Sequence, residues 1–155
     1  MGEPARILIV DDEESIRETL AVILEDEGYR VDTAQNAKEA IAKTSAEVYN
    51  LALIDIRLPD MEGTELLTRI GDATPRMRKI IITGYPSIPN AIDAVNKRAD
   101  AYITKPFEMD KVLETIKEQL KKQEEEEKYS QKKVVNFIET RAKELETKVT
   151  REKSR

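Results

Sequence analysis

The 155-residue chain has neither cysteine nor histidine. Without cysteine there is no disulfide, no thiolate-bound zinc and no thiol catalysis. Without histidine there is no Ser-His-Asp triad, no imidazole metal ligand and no internal phosphohistidine. No apolar run approaches the ~20 residues that a membrane-spanning helix needs. The opening MGEPAR also lacks the apolar stretch of a signal peptide. A soluble, cytoplasmic protein with no membrane partner is the expectation.

What is present is a hydrophobic fraction of 39% beside a charged fraction of 37%, the latter high for one compact domain. The charge is unevenly placed. From Lys121 to Arg155 there are 11 basic and 8 acidic residues, a local +3, which leaves residues 1–120 at −8 of the overall −5. An acidic body suits a clustered carboxylate site for a cation better than a groove for nucleic acid. Nucleic acid is therefore not an expected partner.

Three uninterrupted apolar runs, Arg6–Val10, Leu51–Asp55 and Lys79–Thr83, have the character of strands buried on both faces of a parallel sheet. Arg30–Ala34 and Ala101–Thr104 are weaker strand candidates. Helical patterns lie between them: Ile16, Leu20, Ile23 and Leu24 before a stop at Gly28, then Ala37–Glu47, Thr64–Ile70 and Ile88–Lys97. A last helix begins near Glu108, with Val112, Ile116 and Leu120 four residues apart. Five βα units imply an α/β fold, a parallel sheet with helices on both faces, and a site at the carboxyl ends of the strands.

Those strand ends carry Asp11-Asp12, Asp55, Thr83-Gly84 and Thr104-Lys105-Pro106. Taken singly, each has an ordinary explanation: Asp12 as a cap for the helix near Glu14, Thr83-Gly84 as a turn, Lys105 as a solvated cation. Together they bring three carboxylates, a hydroxyl and an ammonium to one sheet edge. Crowded carboxylates repel, and a hard divalent cation relieves them; an all-oxygen set of this size fits Mg2+. Asp55 then has the surroundings of a carboxylate nucleophile. Lys105 can pair with it before reaction and hold a phosphoryl oxygen afterwards, and Thr83 and the Gly84 N–H are further donors.

IVDDEES, LALIDIRLPDMEGTEL, IIITGY and AYITKPF, in this order and spacing, resemble the receiver domain of two-component response regulators of the chemotaxis-regulator kind. The resemblance covers about residues 5–122. It implies a doubly wound, flavodoxin-like sheet of order 2-1-3-4-5, with Asp55 as phosphoacceptor and a partner histidine kinase as donor. Asp12 and Asp55 would bind Mg2+ directly, Asp11 through water, and the backbone carbonyl of Arg57 would complete the ligands. Thr83 and Lys105 would hold the phosphoryl group, with Lys105-Pro106 in the cis form. Thr83 and Tyr102 would form the switch, altering the face of the fourth helix, fifth strand and fifth helix toward a downstream protein target. Arg57 and Tyr85, each two residues beyond a key side chain, are candidates for shielding the acyl phosphate from water.

The expected boundaries are a receiver domain at residues 1–122 and a charged helical extension at 123–155. In the extension Val135, Ile138, Ala142, Leu145 and Val149 are spaced three and four apart, a short coiled-coil seam, and no Gly or Pro follows Glu108. Self-association through this helix or through the switch face, a fold-back on the body, a largely solvated linker, and a linker to an output domain are the open readings. No helix-turn-helix or Walker loop is apparent in the sequence, so signalling by protein contact is expected, with the protein a phosphoryl-accepting switch and not a turnover enzyme. One rival is a structural dimerisation protein with a vestigial acidic pocket, which the full set of pocket residues argues against; the other is a phosphatase of the haloacid-dehalogenase kind. That class places its nucleophile after the first strand in a DxD pattern, whereas here adjacent aspartates end the first strand and the candidate nucleophile ends the third.

Overall fold

The computed structural model describes residues 2–71, 76–84 and 87–153, the last three by backbone alone. The apolar runs become β1 (Arg6–Val10), β3 (Leu51–Asp55) and β4 (Arg78–Thr83), and the weaker ones β2 (Arg30–Ala34) and β5 (Ala101–Thr104). Helices alternate with them: α1 (Glu14–Asp26), α2 (Ala37–Ala46), α3 (Gly63–Leu66), α4 (Ile88–Asn96) and α5 (Met109–Lys153). All strand pairs are parallel, in the order β2-β1-β3-β4-β5. The two fully buried runs, β3 and β4, are interior, and the half-exposed β2 and β5 are the edges. This is the expected fold class, and its strand order reverses between β1 and β3.

Residue parity divides the core. Leu8, Val10, Ala52, Ile54 and Ile81 pack with Ala37, Ala40, Leu66, Leu67 and Ala94, so α2, α3 and α4 cover one face. Ile7, Ile9, Leu51, Leu53, Ile80 and Ile82 pack with Leu20, Leu24, Val112 and Ile116, so α1 and α5 cover the other. Each large side chain in these layers contributes about 1.5–3 kcal/mol by leaving water.

Helix ends follow local chemistry. Gly28, at φ +98°, ends α1 in the left-handed conformation while the Tyr29 N–H reaches back to Leu24 O. The segment expected as a helix over Thr64–Ile70 is shorter, because after Leu66 the chain tightens into turns. The Thr68 hydroxyl donates to Glu65 O at 2.7 Å, and Lys79 Nζ donates to Leu67 O at 2.9 Å. Those side chains take carbonyls that further α-helical turns would use.

At the amino edge of the sheet, Asp100 accepts from Arg76, from Arg78 and from the Lys79 N–H at 2.8–3.2 Å. The buried Gln123 side-chain amide donates to Asn50 O and Arg76 O, each at 2.8 Å, and fastens this stretch of α5 to the β3 and β4 entries. By internal contacts the chain divides into Met1–Gln123 and Glu124–Arg155. The second unit is helical to Lys153 and exposes Val135, Phe137, Ile138 and Leu145. Among the described residues no helix is long and apolar enough to cross a membrane.

Burial pushes the Asp100 carboxyl up, but the Arg76 and Lys79 hydrogen bonds and the charges of Arg76 and Arg78 outweigh it and hold it below the ordinary range. Asp100→Asn should cost about 3 kcal/mol at neutral pH in urea unfolding, because it removes the carboxylate charge that Arg76, Arg78 and the Lys79 N–H converge on. A depressed folded-state pKa stabilises above the unfolded value of ~3.9 and loses that effect as pH falls through the folded value. The gap between native and variant should therefore narrow on acidification below pH ~4.

Candidate functional site

Parity also assembles the site. Continuing the alternation one residue past β1 and β5 puts Asp11 and Lys105 on the α1/α5 face, where Asp55 of β3 already lies. Both ends belong to the carboxyl edge at the β1/β3 reversal, the place where open α/β sheets hold ligands. Lys105 Nζ donates to Asp11 Oδ2 at 2.9 Å and to Asp55 Oδ2 at 3.2 Å. The Lys105-Pro106 bond is cis, as expected.

Each carboxylate has a second anchor. Asp11 Oδ1 accepts the Glu13 N–H at 2.9 Å, and Asp55 Oδ1 accepts the Arg57 N–H at 3.3 Å. Arg17 donates to Asp11 O at 2.7 Å and fixes the backbone of the turn to α1. Asp12 is exposed, and the α1 N-cap position is Glu13, without a side-chain cap, so Asp12 does not cap that helix. One carboxylate oxygen from each of Asp11, Asp12 and Asp55 lies within 4.8 Å of the others. Three carboxylates against the Lys105 ammonium leave two negative charges, which a divalent cation would balance. Hard oxygen donors with room for water fit Mg2+.

Burial is the largest influence on the Asp55 carboxyl and pushes it up; Lys105 opposes this, and Asp11 adds to it, leaving it above the usual carboxylate range. For Lys105, burial works against the charge, but the Asp11 hydrogen bond and the charges of Asp11 and Asp55 hold its pKa above the usual lysine value. The two shifts thus differ in cause: burial dominates at Asp55, whereas at Lys105 the two carboxylates outweigh it.

The remaining expected residues fall around this core. Thr83 is fully buried at the end of β4, and its carbonyl accepts the Lys105 N–H at 2.7 Å. Tyr102 is half-buried and packs on the α2/α3/α4 side, the parity that Thr83 shares, with Ile81 as its register partner. Gly84 is exposed; a Cβ there would meet only the Lys105 side chain, at 3.8 Å, so nothing in this geometry requires glycine on steric grounds. Arg57 is exposed and its backbone bridges to Glu62. Tyr85 lies outside the described residues.

Two supports escape a linear reading. A Cβ on Gly63 would sit 2.1 Å from the Asp55 carbonyl oxygen and 2.9 Å from Ile56 Cα, so the loop after Asp55 closes only with glycine there. Its N–H donates to Ile56 O. Asp60, at the loop's far side, accepts from Ala37 N–H and Lys38 N–H, each at 2.9 Å, and holds the loop to the α2 N-terminus. The glycine in MEGTEL was a visible signal; the reach of Asp60 to residues 22 and 23 positions away was not.

A family model described as response regulator receiver domain matches residues 7–117. This chain belongs to the response regulator receiver family. Among curated relatives, the transcriptional regulatory protein ZraR of Klebsiella oxytoca is 38% identical over 119 residues, covering 77% of this chain and 27% of its own. A CheY-like receiver domain protein from Methanospirillum hungatei JF-1 has a solved structure with TM-score 0.76 and 51% identity, covering 79% of this chain and 98% of that one. The beryllofluoride-activated NtrC4 receiver domain dimer gives TM-score 0.71 at 37% identity, covering 76% and 98%. The chain spans a quarter to about half the length of the curated relatives it matches. As a receiver it is a phosphorylation-activated switch of a two-component system.

Gly63→Ala should lower stability by about 3 kcal/mol, because backbone atoms, not a flexible side-chain tip, stand in the way. Gly84→Ala, with ordinary contact distances, should change it by less than about 1 kcal/mol. Thermal melts of the two variants side by side check the contrast.

Proposed function

We propose that the chain accepts a phosphoryl group on Asp55 from the phosphohistidine of a partner kinase and passes the state to a downstream protein by contact. The observation that carries this reading is Lys105 bridging Asp11 and Asp55 inside a cluster of three aspartates at the β1/β3 reversal. In the transfer, an Asp55 carboxylate oxygen bonds to phosphorus as the donor N–P bond breaks, and the electron pair returns to the imidazole. Lys105 leaves its bridge to hold one phosphoryl oxygen; the Thr83 hydroxyl and the Gly84 N–H donate to others. The transition state is loose, so alignment and charge neutralisation supply most of the acceleration. Asp12, Asp55 and the Arg57 carbonyl would hold Mg2+, with Asp11 acting through water. When bound, Mg2+ supplies positive charge beside the phosphoryl oxygens. Hydrolysis by water resets the switch, and the exposed Arg57 beside the pocket is the proposed brake on it.

Output follows from Thr83 and Tyr102 sharing one side of the sheet. As Thr83 turns toward the phosphoryl group, Tyr102 moves into the vacated space and reshapes the surface of α4, β5 and α5. The exposed Ile88, Ile92 and Val95, at helical spacing on α4, give that surface apolar contact area for a protein target or a second copy.

Intact-mass analysis after incubation with acetyl phosphate and Mg2+ should show the gain of one phosphoryl group. Asp55→Asn or a chelator should abolish it, and a label mapped to another residue would overturn the assignment. Tyr102→Ala should take up the group as the native protein does, while phosphorylation-dependent association weakens about tenfold, the usual scale of such coupling. Loss of uptake itself in that variant would refute a pure switch role.

A further inference from the structure

The described residues of the Glu124–Arg155 unit form a single helix to Lys153, and one helix cannot cover its own apolar stripe. Val135, Ile138, Leu145 and Val149 are about half exposed or more, and Ala142 lies exposed among them. Their spacing assigns Val135, Ala142 and Val149 to heptad position a, and Ile138 and Leu145 to position d. We infer that this stripe is covered by the same stripe of a second copy, in a parallel, in-register, two-stranded coiled coil.

Two features choose that occupant and that direction. β-Branched valine at a, with leucine among the d residues, favours two parallel strands, and Ala142 lets the backbones approach. The flanks then decide orientation. Glu139, Glu146 and Lys153 occupy e, and Val134, Arg141 and Lys148 occupy g, so the charged flank of opposite sign is Arg141 with Glu146, while Lys148 comes opposite Lys153 at the helix end. In a parallel pair a g residue meets the e residue five positions on in the other helix, so Arg141 meets Glu146, twice by symmetry. An antiparallel pair sets e against e and g against g, glutamate facing glutamate and cation facing cation. Arg141 now holds Glu144 at 3.1 Å, but both side chains are mostly exposed. Such a pair is weak enough to give way to a partner across the seam.

This association uses nothing at Asp55, so it goes beyond the phosphoryl-transfer reading and stands or falls separately. Two receiver units are paired before any phosphoryl group arrives.

The absence of native cysteine makes the test direct, because any disulfide must come from an introduced residue. In the full chain, Val135→Cys and Val149→Cys should each crosslink to covalent dimer under mild oxidation, since every a layer meets itself. Thr147→Cys, on the outer face, should stay monomeric on the same gel. Sedimentation of the cysteine-free protein should show a concentration-dependent dimer, weakened about tenfold by Arg141→Glu or by Glu146→Arg. The double variant should restore it, and Asp55→Asn should leave it unchanged. Crosslinking that fails with either single cysteine but succeeds when an a and a d position, Val135→Cys with Leu145→Cys, are combined would show antiparallel pairing and overturn the proposal. A monomer at every concentration, as a fold-back on the receiver would give, or a double variant without rescue, would overturn it too.

Discussion

The sharing of one ammonium by two carboxylates, with Lys105 between Asp11 and Asp55, is the contact on which the site depends. Two negative charges 4.8 Å apart at an effective dielectric near 20 repel by about 3.5 kcal/mol. Lys105 relieves that between the buried pair, while Asp12 on the open side adds a third charge that the lysine does not contact directly. The pocket is thus stable enough to fold yet still short of positive charge. That residual deficit would favour a divalent cation, whose charge together with Lys105 would then offset the negative oxygens of a phosphoryl group. A site fully neutralised by its own side chains would have nothing to exchange. The Asp55 carboxyl lies above the usual range chiefly because it is buried, with the neighbouring Asp11 charge adding to the effect.

Much of this assembly is legible from strand parity. Once Ile7 and Ile9, Leu51 and Leu53, and Ala101 and Ile103 are placed on one face, Asp11, Asp55 and Lys105 must follow them. Thr83 and Tyr102 fall to the other side by the same count. The strands were readable because three of them are unbroken apolar runs, and a run of that kind is stable only where both faces are covered. The helices were readable to within a residue or so wherever an apolar stripe was long. Where the stripe was short, over Thr64–Ile70, side-chain capture of carbonyls by Thr68 and Lys79 decided the outcome instead.

The rest was hidden because it depends on long-range closure of loops. Asp60 caps α2 across 22 and 23 residues, and Gln123 joins α5 to carbonyls 73 and 47 residues earlier. Neither partner is marked by sequence spacing, since a hydrogen bond between distant segments leaves no period. Gly63 is the intermediate case. Its residue type was visible, but the 2.1 Å approach to the Asp55 carbonyl exists only after the loop has turned back on β3. The residues proposed for the chemistry were thus easier to place at one edge than the residues that hold them, because strand ends have a rule and loop paths do not.

The proposed switch also has a physical limit set by connectivity. A phosphoryl group can shift an equilibrium only through contacts that differ between its two states. Lys105 and Thr83 meet both requirements for carrying such a difference. Their side chains lie on opposite faces of the sheet, and their backbones are joined by the Lys105 N–H to Thr83 O hydrogen bond. Pulling both side chains toward one new anion therefore strains the junction of β4 and β5 and not the buried interior of the sheet. Tyr102, three residues before Lys105 on the edge strand β5, is a half-buried side chain near that junction. Had the same tyrosine stood on β3, packed on both faces, any such movement would have had to displace core side chains, at a cost of several kcal/mol. An edge strand would let a local charge event reach the surface without that cost, which is the physical reason for proposing the readout on α4, β5 and α5 and not on the layers beneath them.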